Sequence, residues 1–159
     1  MVNAFVAVMR SPTSALLVTY TDASGAYAID GGGAGVKNVE ARQWRYATIT
    51  RDVNVDGVTR VNFAMQLLPQ VTFSGIVSDA DGGAPIPGAT VTFLDTAGAR
   101  DNAGLSTVSD SAGRYRFEKV YTANSNLSAT ARGYQERRTG LHVFGDTVLN
   151  FQLRRVQTN

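Results

Sequence analysis

Apolar and polar residues alternate along most of this chain, and long apolar runs at helical spacing are absent. In 147–154, Leu149, Phe151 and Leu153 fall on one side, with Asn150, Gln152 and Arg154 on the other. Residues 61–67 place Val61, Phe63, Met65 and Leu67 inward against Asn62, Ala64 and Gln66. In 89–95, Ala89, Val91 and Phe93 alternate with Thr90, Thr92 and Leu94. A period of two sends successive side chains to opposite faces of a strand, so each stretch predicts a half-buried β-strand. Turn chemistry separates the strands. Asp22-Ala-Ser-Gly25 and Asp110-Ser-Ala-Gly113 each put Asp first, where its carboxylate accepts backbone N–H groups, and Gly last, where positive φ is tolerated. These turns predict hairpins carrying Tyr27 and Ile29, or Tyr115 and Phe117, inward. Asp56-Gly57, between Val55 and Val58, predicts another hairpin.

The pattern repeats. Sliding the chain by 88 residues aligns 21–67 with 109–155 without a gap, and 11 of the 47 positions are identical. Asp22/Asp110, Gly25/Gly113, Tyr27/Tyr115, Tyr46/Tyr134, Asn62/Asn150 and Phe63/Phe151 are among them. Chance at ordinary residue frequencies gives roughly three. Upstream, Ala4-Phe-Val-Ala-Val resembles Ala89-Thr-Val-Thr-Phe at an offset of 85, so the later copy carries a longer loop around Ala97–Gly104. Val71-Thr-Phe-Ser-Gly-Ile-Val-Ser-Asp79 has no counterpart in the earlier copy, which therefore begins one strand late. Leu68-Pro69-Gln70 is the candidate linker, short enough to predict two modules joined stiffly end to end.

Composition and charge narrow the picture. Val, Thr and Ile together number 38 against 21 for Leu, Gln, Glu and Lys, which excludes an all-helical fold. Residues 1–69 carry six Lys/Arg and five Asp/Glu, and 70–159 carry nine and eight, so there is no basic face to support nucleic-acid binding. Zero cysteines exclude disulfides, thiolate metal sites and a Cys nucleophile. No apolar stretch approaches the roughly 18 residues that span a bilayer, and no signal peptide opens the chain. If the protein is exported, its signal lies outside these residues.

Three motifs of the later copy, taken together, resemble a known family. They are Ser74-Gly-Ile-Val-Ser-Asp79, Pro85-Ile-Pro-Gly-Ala-Thr-Val91 and Asp110-Ser-Ala-Gly-Arg-Tyr-Arg-Phe117, continued by Ala129-Thr-Ala-Arg-Gly-Tyr134 and Leu149-Asn-Phe-Gln-Leu153. The family is the carboxypeptidase regulatory-like domain, a prealbumin-like (transthyretin-like) β-sandwich related to the carbohydrate-binding-like fold. The resemblance covers 71–155 directly and 4–67 through the repeat. It implies two tandem antiparallel β-sandwiches, 1–68 incomplete and 69–156 complete, the first lacking its opening strand. It also implies a non-catalytic accessory module of an exported protein, in an extracellular, periplasmic or cell-surface location. In the earlier copy Trp44-Arg45-Tyr46 replaces Arg132-Gly133-Tyr134. A sandwich missing a strand exposes unpaired backbone groups and part of its core. Either the chain is a segment of a longer protein, the preferred reading, or a partner donates the strand by β-augmentation.

Reaction chemistry finds little support. A zinc peptidase site needs clustered His and Glu, and the chain has one histidine, His142, and three glutamates. His142 with Asp146 lacks a nucleophile elbow. Asp79-Ala-Asp81-Gly-Gly83 carries alternate carboxylates but no downstream bidentate Glu, so a turn is favoured over a calcium loop. Gly31-Gly-Gly-Ala-Gly35 lacks the Lys-Ser/Thr of a phosphate loop. An isopeptide bond would need Lys37 or Lys119 gathered with Asn62 or Asn150 in a dry core, and the alternation turns those Asn outward. No cofactor or metal is expected. The candidate ligand-binding residues are Trp44 and Tyr46, whose shared register faces away from Val39 and Ala41 and whose rings could stack on a sugar. The leading expectation is a structural or interaction module whose partners are neighbouring domains or surface proteins. The alternative is a carbohydrate-binding accessory module.

Overall fold

The structure, a computed structural model, describes the backbone of residues 3–11 and 13–157. No helix occurs among these residues. The chain divides into two compact units, Met1–Leu67 and Leu68–Asn159.

The first unit is built on one antiparallel sheet. Its strands are β1 (Phe5–Ser11), β2 (Ser14–Tyr20), β3 (Gly35–Arg42) and β4 (Ile49–Val55), in the order β2-β1-β3-β4. Val8 faces Val39 across the β1–β3 ladder, and Val6 faces Ala41. Val6, Val8 and Val39 form a small buried cluster, against which Leu17, Tyr27, Ile29, Val53 and Phe63 pack without being fully covered. Leu17 belongs to β2 and Val53 to β4, whereas Tyr27, Ile29 and Phe63 come from two segments, 26–33 and 61–66, that join no sheet.

The second unit holds two sheets. One contains β10 (Arg137–His142), β9 (Asn124–Thr130), β6 (Thr90–Phe93) and β7 (Ser106–Val108) in that order. Val91 faces Ala129 and Phe93 faces Leu127. The pairs Val6–Ala41 and Val8–Val39 of the first unit occupy the matching registers, the β3 and β9 partners lying 88 residues apart. The other sheet centres on β5 (Gln70–Asp79), antiparallel to β8 (Arg114–Tyr121) on one edge. On its other edge lie β11 (Thr147–Val148) and β12 (Phe151–Leu153), both parallel to β5. Between the sheets, fourteen residues form one buried cluster, including Phe73, Val77, Phe93, Phe117, Leu127, Phe151 and Leu153. The rings of Phe93 and Phe117 meet edge-on with centroids 5.0 Å apart, an arrangement that aligns ring edge with ring face.

Several local expectations are corrected. The Asp110 turn forms as predicted, with the carboxylate accepting the N–H groups of Ala112 and Arg114 at 2.9 Å each. It does not close a hairpin: β7 lies in one sheet and β8 in the other, so the turn carries the chain between layers. The Asp22 turn has the same bonds, to Ser24 at 2.8 Å and Ala26 at 3.0 Å, but leads into a segment with no strand partner. Asp56-Gly57 makes no hairpin either, because the chain leaves the sheet after Val55. Leu67 is 60% exposed rather than inward, since the alternating stretch ends in an isolated bridge to Tyr46.

Candidate functional site

The two proposed stacking residues lie in the turn after β3. The strand stops at Arg42, and Tyr46 N–H donates to the Gln43 carbonyl at 3.1 Å to close the reversal. Arg45 adopts φ 65°, a left-handed conformation that costs most residues energy, and Gly133 stands at the matching position of the second unit with φ 83°. This turn interrupts the alternation expected to hold Trp44 and Tyr46 in one register. Trp44 is 59% exposed. Tyr46 is half-buried, its backbone bridged to Leu67. The structure thus brings both residues into one turn but presents only the indole prominently.

Asp79 is a buried acid of the second unit, 3% exposed. Its carboxylate is buried and accepts Asp81 N–H at 2.9 Å, Tyr134 O–H at 3.0 Å and Arg155 Nε–H at 2.8 Å. The Asp81 N–H first, and the Arg155 guanidinium after it, hold this carboxyl below the ordinary carboxylate range. With both oxygens engaged by donors of the same unit, 79–83 is a fastening turn that ties the end of β5 to the chain after β12. No cluster of three or more His, Asp or Glu capable of holding a metal occurs among the described residues. His142 Nδ1 lies 2.7 Å from Asn124 Oδ1 and its ring centre lies 4.1 Å from that of Phe144 with the planes tilted by 40°, whereas Asp146 accepts Thr72 N–H at 2.8 Å. Asn150 is exposed, and its Oδ1 accepts Ile76 N–H at 2.9 Å, filling the ladder where β11 and β12 are interrupted.

Two fasteners were missed from sequence. Asn102 is 2% exposed and pins the longer loop, donating to the Tyr121 carbonyl at 2.9 Å and to Ser125 Oγ at 3.0 Å while accepting Tyr121 N–H at 2.7 Å. Nothing in its neighbours distinguished it from an ordinary loop Asn. The other is a tyrosine that crosses beneath β5. Tyr115 O–H donates to the Leu149 carbonyl at 2.5 Å, and burial pushes its phenol pKa up. It passes under Gly75, where an added Cβ would overlap the Leu149 carbonyl oxygen and lie 2.9 Å from Tyr115 Cε1. Tyr27 makes the equivalent bond in the first unit, to the Val61 carbonyl at 2.8 Å, and burial raises its pKa as well. The Tyr27/Tyr115 identity in the repeat was the available signal.

Ile76 of β5, Val108 of β7 and Val148 of β11 are 42%, 59% and 75% exposed. They line a shallow depression of about 620 Å³ with Asp110, Arg114 and Arg116.

Layered sheets joined by turn and carboxylate fasteners define the second unit as an all-β sandwich module. The sequence model of the carboxypeptidase regulatory-like domain matches residues 72–154, just over half of the chain, and the chain belongs to that family. No curated protein sequence matches it. Among solved structures, a streptococcal ancillary pilin is similar with a TM-score of 0.58 at 15% identity, over 99% of this chain and 58% of that one. The minor pilin of the Gram-positive pathogen Streptococcus agalactiae is similar with a TM-score of 0.54 at 13% identity, over 99% of this chain and 84% of that one. At these identities the likeness is one of fold. The chain spans less than two thirds of the length of the ancillary pilin.

Proposed function

We propose that this chain is a non-catalytic structural and interaction module of a larger exported or cell-surface protein, containing two copies of the domain, 1–68 lacking the opening strand and 69–156 complete. One observation carries the structural reading: in the second unit, among the described residues, no buried side-chain nitrogen or oxygen lacks a hydrogen-bond partner. Asp79, Asn102, Ser109 and Ser125 are spent on holding loops to strands, with no buried polar group turned toward a substrate. The coincident sheet registers and the paired Tyr27 and Tyr115 bonds support the two-copy reading. Neighbouring domains or surface proteins are the partners, and the Ile76–Val108–Val148 surface is the contact area offered to them. Antibodies against 70–157 applied to intact cells of the source organism should label their surface. Labelling only after lysis would contradict the location.

A second reading, carbohydrate binding, is supported by the 59% exposure of Trp44. A glycan array separates the two. Binding lost in Trp44→Ala and kept in a Phe144→Ala control favours sugar stacking; no retained glycan favours the structural module.

A further inference from the structure

In the second unit, five of the eight arginines are tied to a carboxylate: Arg100 to Asp95, Arg114 to Asp110, Arg116 to Glu118, Arg138 to Glu136 and Arg155 to Asp79. Arg137 and Arg154 make no such pair among the described residues, although each adjoins in sequence an arginine that does. The chain path brings these two together. Phe151 and Leu153 point into the core, so Asn150, Gln152 and Arg154 alternate outward along one row. Gln135 N–H donates to the Arg154 carbonyl at 2.8 Å, which sets the start of β10, and with it Arg137, beside the end of that row. Ser78 of β5 is the register partner of Gln152 and turns outward between buried Val77 and Asp79.

Ser78, Asp81, Arg137, Asn150, Gln152 and Arg154 line a depression of about 670 Å³. That volume lies within the ~300–1,000 Å³ common for small-molecule sites, which are lined mainly by apolar and aromatic groups. This lining is mostly polar and carries no aromatic ring, so its ligand is polar. Its side chains are also uncommitted. Among the described residues, Ser78 Oγ, the Gln152 amide, the Asp81 carboxylate and both guanidiniums make no bond within the chain. Asn150 Oδ1 accepts Ile76 N–H, which leaves Nδ2 to donate elsewhere. The sandwich pattern does not call for these residues. Eighty-eight residues earlier, Asn62 matches Asn150, but Ile49, Ala64 and Gln66 stand at the positions of Arg137, Gln152 and Arg154.

We infer that this depression is a binding site for an acidic sugar, a uronate whose carboxylate is held by Arg137 and Arg154. Each guanidinium presents a planar fork of N–H donors that matches a carboxylate. Asn150, Gln152 and Ser78 supply the neutral donors and acceptors that ring hydroxyls need. Asp81 distinguishes between classes of ligand. Its carboxylate belongs to the same lining, where it repels a ligand that is acidic throughout, such as a polyglutamate segment, and accepts a bond from a sugar hydroxyl. The row from Asn150 to Arg154 extends roughly 13 Å, four residues at about 3.3 Å each, which is longer than one sugar ring. The site belongs to the second unit and does not involve Trp44 of the first. It holds whether or not the chain contains two copies of one domain.

The test is calorimetric titration of the full chain with trigalacturonate, with galacturonate, the neutral methyl ester of the trimer, hexaglutamate and sulfate as separate arms. The expected result is saturable binding of trigalacturonate with Kd below about 1 mM, and binding about tenfold weaker or worse for the methyl ester. Arg137→Ala and Arg154→Ala should each weaken trigalacturonate about tenfold without moving the unfolding midpoint, and Trp44→Ala should bind like the unaltered chain. A trimer bound more tightly than galacturonate assigns the ligand to an acidic polysaccharide, and equal binding assigns it to a free sugar acid; either supports the site. No binding of either uronate overturns it. Hexaglutamate bound as tightly as the trimer overturns it in favour of an acidic peptide, and sulfate bound as tightly overturns it in favour of unselective anion binding. Binding lost in Trp44→Ala and kept in both arginine variants also overturns it, and leaves the sugar to the first unit.

Discussion

Val39 and Leu127 occupy matching points of the repeat and both are buried; Phe63 and Phe151 also match, yet only Phe151 is buried. The first pair belongs to the sheet that both units possess. The second pair belongs to the layer that β5 completes in one unit only. A strand ladder can therefore form from local pattern and two partners, whereas a core needs an opposite layer to exclude water. The first unit has a sheet, the Asp22 turn and the Tyr27 cross-link, but its buried cluster holds three residues against fourteen in the second. Where Phe63 remains half-covered, the Arg51 guanidinium lies 5.5 Å from its ring centre.

The largest expected effect that sharpens this contrast is a pair of ring deletions. Phe151→Ala should destabilise the second unit by about 3–5 kcal/mol, as emptying a packed core site does. Phe63→Ala should cost the first unit less than half of that. Urea unfolding measures both, with the single Trp44 reporting the first unit and far-ultraviolet dichroism the whole chain. Comparable losses would show that the first unit is as well packed as the second.

Hydroxyl removal should have a smaller effect. Tyr115→Phe leaves the Leu149 carbonyl without its partner in a covered site and should cost about 1–3 kcal/mol. Tyr27→Phe should cost less, because water can replace the lost bond to Val61 across the open side. Similar costs would contradict the difference in cover.

Acid should distinguish the units most subtly. Asp79 is held below its ordinary value of 3.8 in the folded unit and returns to that value on unfolding. Its contribution is therefore present above pH 3.8 and is lost as pH falls through the lower folded value. Asp22 and Asp110 are lowered in the same direction by their turns, so they act in both units alike. Asp79→Asn should then flatten the acid side of the second unit's stability profile and leave that of the first unchanged. An unaltered profile would remove Asp79 as the acid-sensitive fastener.

The β architecture was legible because alternation at Ala89–Phe93 and Leu149–Leu153 reflects a physical period; the same alternation at Val61–Met65 predicted a strand that does not form. The repeat left Val71–Asp79 unmatched, and that stretch lies within β5 of the second unit. Connectivity was less legible. Asp110 and Gly113 specify a reversal, but no property of a turn says whether the next strand pairs beside the last or crosses to another layer. The parallel placement of β11 and β12 depends on β5, some seventy residues earlier in the chain. Trp44 was correctly expected to be exposed, but its register with Tyr46 fails at Arg45, whose positive φ no side-chain pattern announces. The Asp79–Tyr134–Arg155 fastener joins three distant positions that only the folded sandwich brings together.

Hydrogen exchange on the unmodified chain compares the two layers most directly. Amides of 27–33 and 61–66 should exchange close to unfolded rates, while those of β5, β8 and β12 are protected up to the global unfolding of their unit. Equal protection of 27–33 and 114–121 would contradict the view that one unit holds a finished sandwich and the other an open one.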